Sequence, residues 1–128
     1  MKKIILLLSA ALLTNFALAE TYKTTFTSPG NNAATPWNTG MIVDLKFADD
    51  GSISGEMKNM FNVANCRWQG IPITGGNFKD GNFRWASDLH PTKGCGRIVF
   101  IGKRVGDKMV GYLPSFMGAK IDIEWEKN

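Results

Sequence analysis

A chain of 128 residues with a formal charge of +4 is too short for a multidomain enzyme. It also lacks the dense Lys/Arg footprint of a nucleic-acid binder. Beyond residue 19 it keeps all 14 glycines but only three leucines, a balance that favours strands and turns over helices.

Residues 1–19 read as a secretory signal peptide. Met1-Lys2-Lys3 is a short basic start, Ile4 to Leu13 is an apolar run, and Ala17-Leu18-Ala19 is a small-x-small cleavage site. Cleavage between Ala19 and Glu20 leaves one domain, residues 20–128, with its charge lowered to +2 by loss of Lys2 and Lys3. The apolar run is shorter than the ~20 residues that a bilayer span needs. The expected location is the bacterial periplasm or the medium.

The domain reads as eight strands, at about 21–28, 38–47, 52–57, 66–78, 82–87, 95–104, 108–113 and 119–126. Met41 to Phe47 alternates, with Asp44 and Lys46 on the face opposite the apolar residues. Asn82 to Trp85 and Lys120 to Glu126 repeat the pattern. Period two over these lengths marks half-buried antiparallel strands. Ile98 to Ile101 is apolar on both faces and suits a central strand. Asp50-Gly51, Asp80-Gly81 and Gly106-Asp107 supply the positive φ angles of tight hairpins. Gly75-Gly76 marks a bulge in the fourth strand. The expected fold is all-β: a small eight-stranded antiparallel up-and-down meander barrel, with a β-sandwich as the alternative.

In such a meander the short turns fall at one end. The longer connections, 29–37, 58–65, 88–94 and 114–118, fall at the other. Cys66 and Cys95 open the fourth and sixth strands at that longer-loop end. In an exported chain they are expected to form one disulfide, closing a loop worth roughly 3.5 kcal/mol in the chain-entropy model. With a strand between them, one segment must bend to bring the Cα atoms within disulfide reach. The bond then pins loop 58–65 to loop 88–94.

The candidate binding residues collect at this end: Trp37, Met60, Phe61, Trp68, His90, Phe116 and Met117. Large apolar side chains here either fold back as a plug over the barrel or form a contact surface. Trp85 and Trp125 lie in phase with inward residues and are assigned to the core. The segment Lys93 to Lys108 carries Lys93, Arg97, Lys103, Arg104 and Lys108 against Asp107, while the last strand carries Asp122, Glu124 and Glu126. That arrangement is either a dipole that steers an anionic partner or a set of solvated and paired charges.

Catalytic chemistry is weakly signalled. Ser87-Asp88-Leu89-His90 holds the only His, but a triad needs separate positions converging in space. One His, two bonded Cys and scattered carboxylates give no zinc spacing, and Asp49-Asp50-Gly51 reads as a turn. No catalytic residue, metal or cofactor is assigned.

Trp37-Asn38-Thr39-Gly40, Asp50-Gly51-Ser52-Ile53-Ser54-Gly55 and Lys120 to Trp125 together resemble the strand rhythm of avidins, exported eight-stranded barrels that bind biotin. The resemblance implies shared architecture and not the ligand. Met41 and Met57 stand where that family offers hydroxyls, and Met109 where it offers a Trp. The expected function is a non-enzymatic binding module engaging a macromolecule through its longer-loop end, of the inhibitor or immunity type. The alternative is a small-ligand or glycan-binding barrel, and a small hydrolase centred on His90 comes third. The expected partner is an unidentified protein or glycan of the cell envelope, with no nucleic acid and no membrane span; the oligomeric state is left open.

Overall fold

The computed structural model describes residues 18–28, 37–61, 70–91, 95–116 and 118–128, with the backbone alone for Ser28, Trp37, Asn59, Met60 and Phe61. The strands are β1 (Leu18–Ser28), β2 (Trp37–Phe47), β3 (Ile53–Phe61), β4 (Ile71–Lys79), β5 (Asn82–Ser87), β6 (Val99–Val105), β7 (Lys108–Phe116) and β8 (Ala119–Lys127). They form a closed antiparallel barrel in chain order, β1 back to β8. The expected meander is therefore present, and closure leaves no sheet edge.

Alternation sets which side chains fill the barrel. Tyr22, Met41, Val43, Leu45, Met57, Phe83, Trp85, Phe100, Met109 and Trp125 are all buried there. Trp85, Phe100 and Trp125 form one aromatic contact group, with centroids 5.4–6.1 Å apart. Trp85 and Trp125 are thus core residues. Met41, Met57 and Met109, which depart from the avidin pattern, pack the interior with no exposed surface.

The turns follow their sequences. Asp80 and Gly81 both take positive φ, 53° and 81°, as a two-residue Asp-Gly hairpin requires. The Asp50 turn is wider. Gly51 N–H donates to the Ala48 carbonyl and Ala48 N–H to that of Ser52, so only Gly51 takes positive φ. The β4 register slips between Ile73 and Gly75, the bulge expected at the paired glycines. A second slip, between Ile42 and Val43 against β3, leaves Lys58 as the extra residue, and its ammonium reaches Asp44 at 3.3 Å.

Several boundaries differ from expectation, and they matter for the site. Met60 and Phe61 are strand residues, paired with Met41 and Gly40, not members of a loop. β7 continues through Phe116, which pairs with Ala119. Of the expected 114–118 loop, Pro114-Ser115 are accommodated by a register slip within β7 rather than terminating the strand, and Phe116 ends it. β1 begins at Leu18, two residues before the expected cleavage point, and Leu18 and Ala19 pair with Phe47 and Lys46.

Candidate functional site

The two ends of the barrel are built differently. At the short-turn end the inward phase of β1 brings Glu20 and Tyr22 inside, and the inward phase of β6 brings Arg104 with them. Arg104 Nη2 donates to Glu20 Oε2 at 3.1 Å, and Lys127 Nζ donates to Glu20 Oε1 at 3.2 Å. The Tyr22 hydroxyl also donates to Glu20 Oε2. The Arg104 guanidinium lies 5.2 Å from the Phe78 ring centroid and 5.4 Å from that of Phe83, so the ion pair is caged by aromatic faces. Burial pushes the Glu20 carboxyl upward, but hydrogen bonds from Tyr22 and Lys127 and the charges of Arg104 and Lys127 outweigh it and hold the group below its usual value. Burial, then the Glu20 hydrogen bond and charge, raise the Tyr22 phenol. This cluster closes one end of the barrel. Arg104 consequently does not join a steering surface dipole; it is a paired charge, the other reading expected of it, with Glu20 as its partner. Its phase, shared with Phe100 and Gly102, turns it inward.

The expected binding residues separate at the other end. Phe116 is buried and meets Phe26 edge-on at 5.3 Å. It therefore packs inward, as the plug reading expects. His90 is also buried, and its backbone N–H donates to the Gly96 carbonyl at 3.0 Å. For Trp37, Met60 and Phe61 only the strand backbone is described, and Trp68, Met117 and Cys66 lie outside the described residues. Cys95 is half-buried against the core. The Ser87-Asp88-Leu89-His90 segment is the last residue of β5 and the irregular stretch that follows it, not a turn. The Ser87 hydroxyl donates to the Asp88 carbonyl and accepts from Ile98 N–H, while Asp88 Oδ1 accepts from Leu89 N–H. Among the described residues, no three His, Cys, Asp or Glu side chains gather to hold a metal.

What the structure does bring together is a furrow on the outer wall. A cavity of about 680 Å³ lies beside the longer-loop end, walled by Arg97, Val99, Ile101, Pro114 and Ser115, with Arg84 at its side. A second cavity, about 370 Å³, shares Arg84, Arg97 and Val99 with the first. The two are neighbours on the outer wall, with those three side chains common to both. Charge is segregated around the barrel in the same sense. β4, β5, β6 and β7 contain no acidic residue, whereas β8 carries Asp122, Glu124 and Glu126. On the acidic side the charges are partly paired, with Lys108 Nζ 3.4 Å from Glu124 and 4.0 Å from Glu126. Arg84 and Arg97 are exposed and form no ion pair among the described residues.

Nothing in the sequence alone marks Arg84, Val99, Ile101 and Pro114 as binding residues. The available signal was phase: Arg84 stands opposite inward Phe83 and Trp85, and no carboxylate occurs on the strands either side. A third furrow, about 600 Å³, follows the β1–β8 seam, where only Tyr22↔Lys127 and Lys23↔Glu126 pair. There the Thr24 hydroxyl donates to the Glu124 carbonyl and substitutes for a ladder bond. Comparison of the chain with protein-family models, with curated proteins and with solved structures gives no match.

Proposed function

We propose that this protein is an exported, non-enzymatic binding module of the cell envelope that engages a protein partner through the outer wall at its longer-loop end, as an inhibitor or immunity-type protein does. The observation that carries this reading is the contrast between inside and outside. The barrel interior is packed with Met41, Met57, Trp85, Met109 and Trp125, while the largest of the described cavities opens outward beside Pro114 and Ser115. A carrier of the biotin-binding kind needs the interior as its pocket, so the glycan or small-ligand carrier is the weaker reading. Residues 1–19 act as the leader that exports it. A photoreactive amino acid placed at Ser115, in cells expressing the full chain, tests the reading. Ser115 is expected to give a discrete adduct, and the same probe at Asp107, at the short-turn end, none. Equal adducts at both, or none at Ser115, overturns it.

The proposal includes a Cys66–Cys95 disulfide. Cys95 is not left as a free thiol, and Cys66 is the only other cysteine in the chain. The bond anchors the segment that enters β6, and so the Arg97 wall of the furrow. Non-reducing mass spectrometry of the exported protein is expected to find the two cysteine peptides linked; alkylation of both thiols without reductant removes the disulfide from the proposal. Reduction is expected to destabilise the domain by ~2–4 kcal/mol.

A further inference from the structure

The furrow's chemistry is more specific than its position. Resting on the protein-partner reading above, we propose that the furrow takes an extended, acidic segment of the partner, with carboxylates bound by Arg84 and Arg97 and small apolar side chains lying on Val99, Ile101 and Pro114.

Four observations converge. Both arginines line both cavities, so a ligand lying along the furrow meets both guanidinium groups. Neither has an acidic partner among the described residues, and Asp88, at the end of β5, keeps its carboxylate on the Leu89 N–H. No described lining residue of either cavity is acidic, and the strands beneath are free of Asp and Glu from β4 through β7. A planar guanidinium binds a carboxylate through two parallel N–H donors, which favours an oriented anion over a diffuse counter-ion.

The ligand class follows from what surrounds the arginines. A polyanion such as a nucleic acid calls for a long cationic track, and the mature charge of +2 does not provide one. A sugar calls for an exposed aromatic face, and the aromatic rings among the described lining residues, Trp85 and Phe116, are buried. Aliphatic walls between two guanidinium groups suit a polypeptide with acidic residues flanking small apolar ones. Arg84 pairs with Ile101 of β6, and Arg97 stands four positions before Ile101 in the chain, two before β6 begins. Arginines set apart in this way call for carboxylates several residues apart, and side chains i and i+4 of an extended peptide are ~13 Å apart.

The test uses the mature, isotopically labelled protein and the synthetic peptide Ac-Glu-Val-Thr-Val-Glu-NH2, followed by amide shift perturbation. The peptide is expected to perturb Ala86, Gly96, Arg97 and Val99. The Gln-Val-Thr-Val-Gln analogue should bind at least about tenfold more weakly, as should the acidic peptide to Arg84→Gln/Arg97→Gln. Lys46→Gln/Lys58→Gln, on the opposite wall, should leave binding unchanged. Equal binding of the two peptides, or perturbations confined to β1–β3, overturns the assignment. So does stronger binding of tri-galacturonate or inorganic phosphate than of the acidic peptide. The partner reading is scored separately: a Ser115 adduct that forms equally in the double arginine variant overturns the carboxylate assignment and leaves loop-end engagement standing.

Discussion

Arg104→Met is expected to lower the stability of the domain by about 2–4 kcal/mol, or roughly 10–20 °C in Tm for a domain of this size. The side chain it replaces is two-thirds covered, and the Glu20 carboxylate it neutralises is 4% exposed. Methionine fills a similar volume, so the expected loss is electrostatic rather than a cavity effect. What remains is a buried carboxylate with Lys127 as its cationic partner, and Lys127 is itself 43% exposed and screened by water. The figure lies toward the low end of the range for breaking buried pairs because Arg104 retains some solvent contact. Chemical denaturation of wild type, Arg104→Met, Glu20→Ala and the double variant gives the coupling directly. Additive single effects would show that the pair contributes nothing beyond its separate packing. Arg104→Lys should recover little, because a lysine cannot present the same fork to Glu20 while stacking on Phe78 and Phe83.

The same cluster gives the domain a pH window. The Glu20 carboxyl is held below its usual value in the fold. Its contribution is therefore fully present above the unfolded-state value of ~4.3 and is lost as pH falls through the folded value. Tyr22 is raised, so its contribution is present below ~10 and declines as pH rises beyond that. Stability is expected to be flat between these limits, and Arg104→Met should move the acid limb to higher pH, since Glu20 loses one of the charges that depress it.

This end of the barrel also marks where sequence reading succeeded and where it stopped. Strand number and order were legible because alternation survives in β2, β5 and β8, and because Asp-Gly pairs punctuate the chain. Trp85 and Trp125 followed from the same period. Arg104 did not, because Ile98 to Ile101 is apolar on both faces and hides which phase points inward. Only the pairing of β6 with β5 and β7 resolves it. Glu20 and Arg104 are 84 residues apart, and nothing local marks either as the other's partner. Pro114-Ser115 reads as a strand end and so puts Phe116 on a loop, whereas the barrel absorbs those two residues in an irregularity and carries the strand on. The furrow was illegible for a related reason: its wall is assembled from β4, β5, β6 and β7, and a single strand shows only one Arg among ordinary neighbours.

Gly55→Ala is expected to be the most damaging of the small substitutions, costing at least ~4 kcal/mol, a large part of the 5–15 kcal/mol that a domain of this kind commands. Gly55 sits in β3 between Leu45 of β2 and Ile73 of β4, at φ 135°, which L side chains rarely adopt. A Cβ there would stand 2.0 Å from the Asp44 carbonyl oxygen and 2.9 Å from its carbon. Backbone, not a flexible side chain, is in the way, so β2 and β3 must separate and the barrel wall must open. Two other glycines divide this cost into its parts. Gly81 has positive φ but nothing within 4 Å of an added Cβ, so Gly81→Ala should cost only the conformational strain, ~1 kcal/mol. Gly75 has open space and no positive φ, so Gly75→Ala should be neutral or slightly stabilising through the unfolded chain. Urea denaturation of the three variants should therefore rank Gly55 far below Gly81 and Gly81 below Gly75. A Gly55→Ala protein within ~1 kcal/mol of wild type would mean that β2 and β3 do not approach at Asp44 as closely as the barrel requires, and with that the tight closure that leaves its interior filled would have to be abandoned.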